Sequence, residues 1–172
     1  MPEEQSEHYR LLFLDNPVAI LEEDYSKVKT AIDKLKARKI SNFSNYFDMH
    51  PETVEELRKS TIITDVNSAA LKLYNAESKN DFIISIDNFF TGDSSHFFKE
   101  QLIIIAEGGG SFKAELKNRA LNGEILNIFI SINFPATKEE YRHIPVTIID
   151  IGKGRVYSKR RENLYRIQDQ YL

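Results

Sequence analysis

The sequence predicts an α+β fold in which a late antiparallel meander is preceded by short helices, and three observations carry that expectation. Residues 112–117 are apolar at every second position, with Lys113, Glu115 and Lys117 on the other side, the period-two pattern of a sheet buried on one face. Asn122-Gly123 then reads as a two-residue hairpin turn, because both residues tolerate the positive φ that such turns require. Residues 125–134 place Leu126, Ile128, Ile130, Ile132 and Phe134 on one side, with Asn127, Phe129, Ser131 and Asn133 directed outward on the other. Pro135, lacking an N–H for a ladder, stops that strand, and a third is expected from about Tyr141 to Ile151.

The elements before the meander follow from local chemistry. Residues 3–14 read as a short helix outside the main core, ended by Asp15-Asn16-Pro17. Val18-Ala19-Ile20-Leu21 is a brief apolar strand closed by Glu22-Glu23-Asp24, and Asp24 is suited to cap the next helix. In that helix Val28, Ala31, Ile32 and Leu35 form one apolar stripe. A second helix is expected over 43–49 and a third from Pro51, which is tolerated at a first helical position. Residues 61–66 are β-branched except Asp65 and predict a strand, after which Asn67 caps a helix over 68–74. Residues 79–90 predict one or two helical turns, and Thr91-Gly92-Asp93 punctuates them. A longer helix follows from Ser94 or Ser95 to about Glu107. Gly108-Gly109-Gly110 is a connector, since it lacks the Lys-Ser/Thr and the strand-to-helix setting of a phosphate loop.

Composition narrows the function. The 172 residues, 41% hydrophobic and 28% charged, suit one soluble domain with some added structure. A net charge of −3 provides no field to gather phosphates, so nucleic acid is not an expected partner. With no cysteine there is no disulfide, thiolate nucleophile, cysteine-bound metal or cysteinyl-flavin adduct. No apolar run approaches the roughly 20 residues of a membrane span, and the acidic start is unlike a secretory signal, so a cytoplasmic chain is expected. Glu22-Glu23-Asp24 reads as a solvated, helix-capping run rather than a metal site. No catalytic constellation stands out, and the chain is not expected to be an enzyme.

The order of two strands, several short helices, one longer helix and a meander resembles a PAS domain. Leu12-Phe13-Leu14-Asp15-Asn16-Pro17-Val18-Ala19-Ile20 is similar to the entry into the first PAS strand, and Asp65-Val66-Asn67-Ser68-Ala69-Ala70-Leu71 to its asparagine-capped second strand-helix junction. Asp150-Ile151-Gly152 stands where the family ends its last strand with Asp-Ile-Thr, Gly152 replacing the threonine. The resemblance implies a five-stranded antiparallel sheet in the order 2-1-5-4-3, helices on one face, and helices at both termini. It divides the chain into an N-terminal helix (1–14), the PAS domain (15–152) and the start of a C-terminal signalling helix (153–172). A helical insertion (25–59) replaces a short turn, and with the Glu22–Ser26 phrase it resembles a subgroup found in bacterial and archaeal sensor histidine kinases.

What the resemblance implies is a sensory module of a signalling protein, a histidine kinase, which binds a small molecule or partner and relays the change to an output domain. The candidate cavity is lined by Leu71, Tyr74, Phe82, Phe97, Leu102, Ile105, Leu116, Ile128, Ile130 and Ile148, and a filled core is the competing reading of the same apolar residues. Asp150, Ile151 and Gly152 are the relay, and the insertion is a lid or partner surface. His96, on the long helix, occupies the region from which haem-binding members supply an axial ligand, although a histidine in a first helical turn is more often exposed. Tyr157, Leu164 and Tyr171, seven apart, suggest a helical tail and a homodimer through the terminal helices. The alternatives are a ligand-free interaction scaffold and a small cone-shaped α+β enzyme, the latter requiring ionisable residues to converge in the cavity.

Overall fold

The computed structural model describes residues 7–90 and 95–152. The expected tail helix over 153–172, the punctuation at Thr91-Gly92-Asp93 and the first residues of the N-terminal helix lie outside them. Five strands form: β1 (Ala19–Asp24), β2 (Ile62–Val66), β3 (Gly110–Arg119), β4 (Ile125–Phe134) and β5 (Ile144–Asp150). They pair antiparallel in the order β2-β1-β5-β4-β3, as expected. β1 is therefore interior, with Leu21 opposite Val66 on one side and Val146 on the other.

Three local expectations change. β1 runs on through Glu22 and Glu23 to Asp24, because the edges of β2 and β5 continue to offer it hydrogen bonds past Leu21. β5 starts at Ile144, and Tyr141 lies instead in a 3-10 turn, Glu139–Arg142, fully buried, its carbonyl accepting from the Tyr25 N–H at 2.7 Å. The β3–β4 connection is a three-residue loop. The Gly123 N–H donates to Ala120 O and the Ala120 N–H to Glu124 O, both at 2.9 Å, with Gly123 alone in the loop at positive φ (+86°). Asn122 keeps negative φ and spends its side chain on the Glu124 N–H at 3.1 Å, which gives a turn followed by a glycine bulge.

Helices pack on the concave face, except the first, which contributes no buried residue. In chain order the helices are α1 (residues 7–14, its last turn, Arg10–Leu14, π-helical), α2 (Ser26–Ala37), α3 (Phe43–Met49), α4 (Pro51–Ser60), α5 (Ser68–Tyr74), α6 (Lys79–Ile84), α7 (Ile86–Phe89) and α8 (Ser95–Ala106). The stripe expected in α2 is real: Val28, Ile32 and Leu35 are buried. With Phe47 of α3 and Val54 and Leu57 of α4 they join the same core as the sheet. The segment inserted after β1 is thus part of the core. Between α8 and β3 the chain turns so close to the end of β4 that a Cβ on Gly109 would lie 2.7 Å from Phe134 O, and its φ of +97° also calls for glycine.

Asn67 holds the N-terminal half in register. Its Oδ1 accepts from the Ala70 N–H (2.9 Å), capping α5, and from the Ile20 N–H (3.0 Å). Its Nδ2 donates to Val18 O (2.8 Å) and Phe13 O (3.1 Å), with a longer contact to Asn16 O (3.4 Å). The side chain is fully buried, so its own donors and acceptor have these backbone groups as partners. Asn67→Ala is expected to lower unfolding free energy by about 2–4 kcal/mol, since it strands several buried donors and acceptors and removes a cap. A urea melt with an unchanged midpoint would contradict this.

Candidate ligand-binding cavity

Strand alternation distributes the three carboxylates of β1 to three fates. Ala19, Leu21 and Glu23 share the concave side, while Ile20, Glu22 and Asp24 face the other. Glu22 Oε1 accepts from Thr64 Oγ1 at 2.8 Å and lies 3.2 Å from His143 Nδ1. Asp24 Oδ1 accepts the N–H of Ser26, the first residue of α2, at 2.7 Å, but Tyr25 and not Asp24 occupies the N-cap, and Tyr25 makes no side-chain capping bond. Glu23 instead enters a cavity. The acidic run is therefore not a uniformly solvated one.

That cavity has a volume of about 360 Å³, within the range of small-molecule pockets. Its floor is Phe112 and Leu116 of β3, Ile130 and Ile132 of β4 and Val146 of β5. Phe97, Phe98 and Gln101 of α8 cover it, with Ile83, Ile86 and Phe90 along one wall. The buried lining residues Tyr25, Phe98, Gln101, Phe112 and Val146 mark its inner end, and the exposed Ile62, Lys59 and Asp87 its mouth.

The polar groups inside form a chain. Tyr25 is fixed by an edge contact with Phe134 (centroids 5.2 Å apart) and a stack on Phe98 (6.3 Å), and its hydroxyl donates to Gln101 Oε1 at 2.9 Å. The same hydroxyl is the hydrogen-bond partner of the Glu23 carboxyl. Burial, only partly offset by that bond, pushes the Glu23 carboxyl up from 4.5 to about 7. The neutral acid can donate to the Tyr25 oxygen while Tyr25 donates to Gln101, so each proton has an acceptor. Burial, then the neighbouring Glu23, drives the Tyr25 phenol well above its ordinary range, so it stays protonated.

At the mouth the charges are already paired. Arg58 donates from Nε and Nη2 to the two Glu55 oxygens at 2.8 and 2.9 Å and from Nη1 to Asp87 at 3.1 Å, a strut from α4 to α7. The Arg58 hydrogen bonds hold the Glu55 carboxyl down at about 2.

Of the residues expected to line a cavity, Phe97, Leu116 and Ile130 do so. Tyr74, Phe82, Leu102, Ile105, Ile128 and Ile148 pack in the core instead, and Leu71 is half-buried against it. The reason is local: Tyr74, Phe82 and Phe89 stack into one aromatic cluster, with centroids 4.5 to 5.3 Å apart, and Asn118 Nδ2 donates to the Tyr74 hydroxyl at 2.7 Å. Those rings fill the hairpin end of the concave face, and the open space lies toward Glu23. His96 does not border the cavity; its side chain is largely exposed and Nε2 lies 3.1 Å from Glu100. No His, Cys or Met is among the lining residues. Glu23, Tyr25, Gln101 and Arg58 are site residues that sequence reading missed. Extending the Ala19–Leu21 alternation by one step would have found Glu23.

At the exit, Asp150 Oδ1 accepts the Gly152 N–H at 2.9 Å where a helical turn begins at Ile151. A Cβ on Gly152 would lie 3.2 Å from that oxygen and 3.3 Å from Asn127 Nδ2, so this residue sits tightly against β4.

Because the folded carboxyl of Glu23 titrates above the unfolded one, the protein binds more protons than its unfolded chain between about pH 4.5 and 7. The stability from this group is complete below the lower value and lost through the upper. Relative to Glu23→Gln, the unliganded protein is expected to lose on the order of 3 kcal/mol across that window. Parallel pH profiles of chemical denaturation for the two proteins would refute the burial of this acid.

No family model matches the sequence, and no curated protein matches it. Solved structures do match in fold. A domain of a sensory box sensor histidine kinase/response regulator from Geobacter sulfurreducens superposes with a TM-score of 0.50 at 17% identity, covering 83% of this chain and 92% of that one. The PAS domain of a LuxR-family transcriptional regulator from Burkholderia thailandensis, in complex with ethanol, gives 0.50 at 13% identity over 83% of this chain and 96% of that one. The LOV protein of Rhodobacter sphaeroides gives 0.52 at 12% identity over 88% of this chain and 69% of that one. With the strand order, the asparagine-capped junction after β2 and the helix-covered concave face already described, this likeness establishes that the chain has the PAS fold.

Proposed function

We propose that this chain is a sensory module, without catalysis of its own, which binds a small molecule in the cavity beside Glu23 and relays occupancy along β5 to the segment after Asp150. The observation that carries the reading is the shared use of one strand: Val146 forms part of the cavity floor, and four residues later Asp150 caps the outgoing turn. A ligand pressing on Val146 is one strand away from the exit. Only a difference in affinity between two arrangements of that strand can do the work of relay.

The apolar floor, with a few convergent polar groups at one end, has the composition of a binding site for a small amphipathic molecule. The α4–α7 strut lies at the mouth, which makes the inserted helices the natural lid. Output to a kinase is supported by the fold shared with the Geobacter sulfurreducens sensor domain. A homodimer through the terminal helices is supported by Leu11 and Leu12 of α1, 58% and 59% exposed.

Leu116→Phe, which fills cavity space from the floor, tests the reading. A panel of small amphipathic compounds should contain at least one that raises the wild-type melting temperature by roughly 5–10 °C at concentrations about 100 times its Kd. The variant should remain folded and lose that shift. A panel that moves neither protein, or both equally, would sink the cavity as the sensory site.

A further inference from the structure

Resting on the reading of the cavity as a ligand site, the chemistry of its inner end narrows what it takes. The Glu23 carboxyl reaches the interior from β1, and no Lys, Arg or His among the described residues forms an ion pair with it. The two cationic side chains that border the cavity are committed elsewhere: Arg58 to Glu55 and Asp87, and Lys59 to Glu55 at 3.4 Å. The mouth is thus internally neutralised, and the inner end holds an acid whose partner is a neutral hydroxyl, with no cation paired to it among the described residues. Replacing it by an apolar side chain would remove the burial cost, so its presence calls for a partner.

Aromatic faces surround the same end. Tyr25 and Phe98 lie stacked, and Phe97 and Phe112 complete the wall. Aromatic faces and a carboxylate attract a cation together, whereas an anion is repelled by both. The floor beyond them is wholly apolar and suits a hydrocarbon body.

We propose that the cavity binds a small organic amine, its ammonium paired with Glu23 beside the Tyr25 and Phe98 rings and its apolar body laid on Leu116, Ile130 and Ile132. The ion pair requires the carboxylate. Where Glu23 is still protonated, binding therefore releases that proton to solvent as the N⁺–H···O⁻ bond forms. The other ionisable groups bordering the cavity are Tyr25, Arg58, Lys59 and Asp87. Burial keeps Tyr25 neutral and the Glu55 pairing keeps Arg58 charged, and Glu22 faces the opposite side of the sheet.

The test is isothermal titration calorimetry of the full chain with three probes that share one tail: hexylamine, hexan-1-ol and hexanoate. At slightly alkaline pH hexylamine is expected to bind at least about tenfold more tightly than the other two. Glu23→Gln should weaken hexylamine by about tenfold or more while leaving hexan-1-ol within roughly twofold. At slightly acidic pH, buffers of different ionisation enthalpy should report proton release on hexylamine binding to wild type and none for Glu23→Gln. Leu116→Phe should weaken hexylamine, placing it in this cavity. If hexan-1-ol or hexanoate binds wild type as well as the amine, or if Glu23→Gln leaves hexylamine affinity unchanged, the amine assignment is wrong and the cavity remains a ligand site. If none of the three binds, both readings fall.

Discussion

The side chain of Asn67 joins α1, β1 and α5 by five hydrogen bonds, and the register of β1 depends on it. Because side chains alternate faces along a strand, a slip of one residue would turn Leu21 and Glu23 outward and bring Ile20 and Glu22 in. Pairing on both edges, with β2 and β5, adds ladder bonds to the same constraint. The arrangement is costly to disturb, since the buried amide of Asn67 and the buried or part-buried backbone groups it satisfies would lose their bonds together. A single buried amide thus determines which carboxylate faces the interior.

Core and cavity share the concave face, and size decides between them. At the hairpin end, three aromatic rings reach the sheet and close the space. Farther along the sheet, Phe112, Leu116, Ile130, Ile132 and Val146 leave a void beneath α8, with the α4–α7 strut at its rim. The strut lies at the rim, where each charge is partly hydrated and each pair adds little stability, so its effect is chiefly geometric. The helices between β1 and β2 contribute buried residues to the common core and one wall of the site, which joins support and access in one segment.

The cavity floor and the chain's exit share β5. β5 lies between β1, which carries Glu23, and β4, which carries Ile130 and Ile132, so it is bonded to both sides of the cavity. Its last residue turns its carboxylate onto the Gly152 N–H, and the absence of a side chain at Gly152 lets the chain pass close to Asn127. With no side chain at Gly152, this junction rests on backbone and Asp150.

The sequence by itself determined the α+β class, the existence and order of the helices, the Asn67 cap and the inward face of β4. Periodicity, proline and capping side chains act over a few residues and are legible in any window of the chain. The five-stranded order followed from resemblance and was met by the structure. Only the tertiary structure decided that β1 extends to Asp24, that Tyr141 is buried in a helical turn, and that the hairpin loop takes three residues. It also separated lining from core among residues of one composition, brought Gln101 to Tyr25 across 76 positions of sequence, and set both in the cavity that Glu23 and Arg58 border. Those outcomes rest on contacts between distant segments, where ring size, strand pairing and the lack of a cation near one carboxylate are properties of the assembled fold rather than of any local stretch.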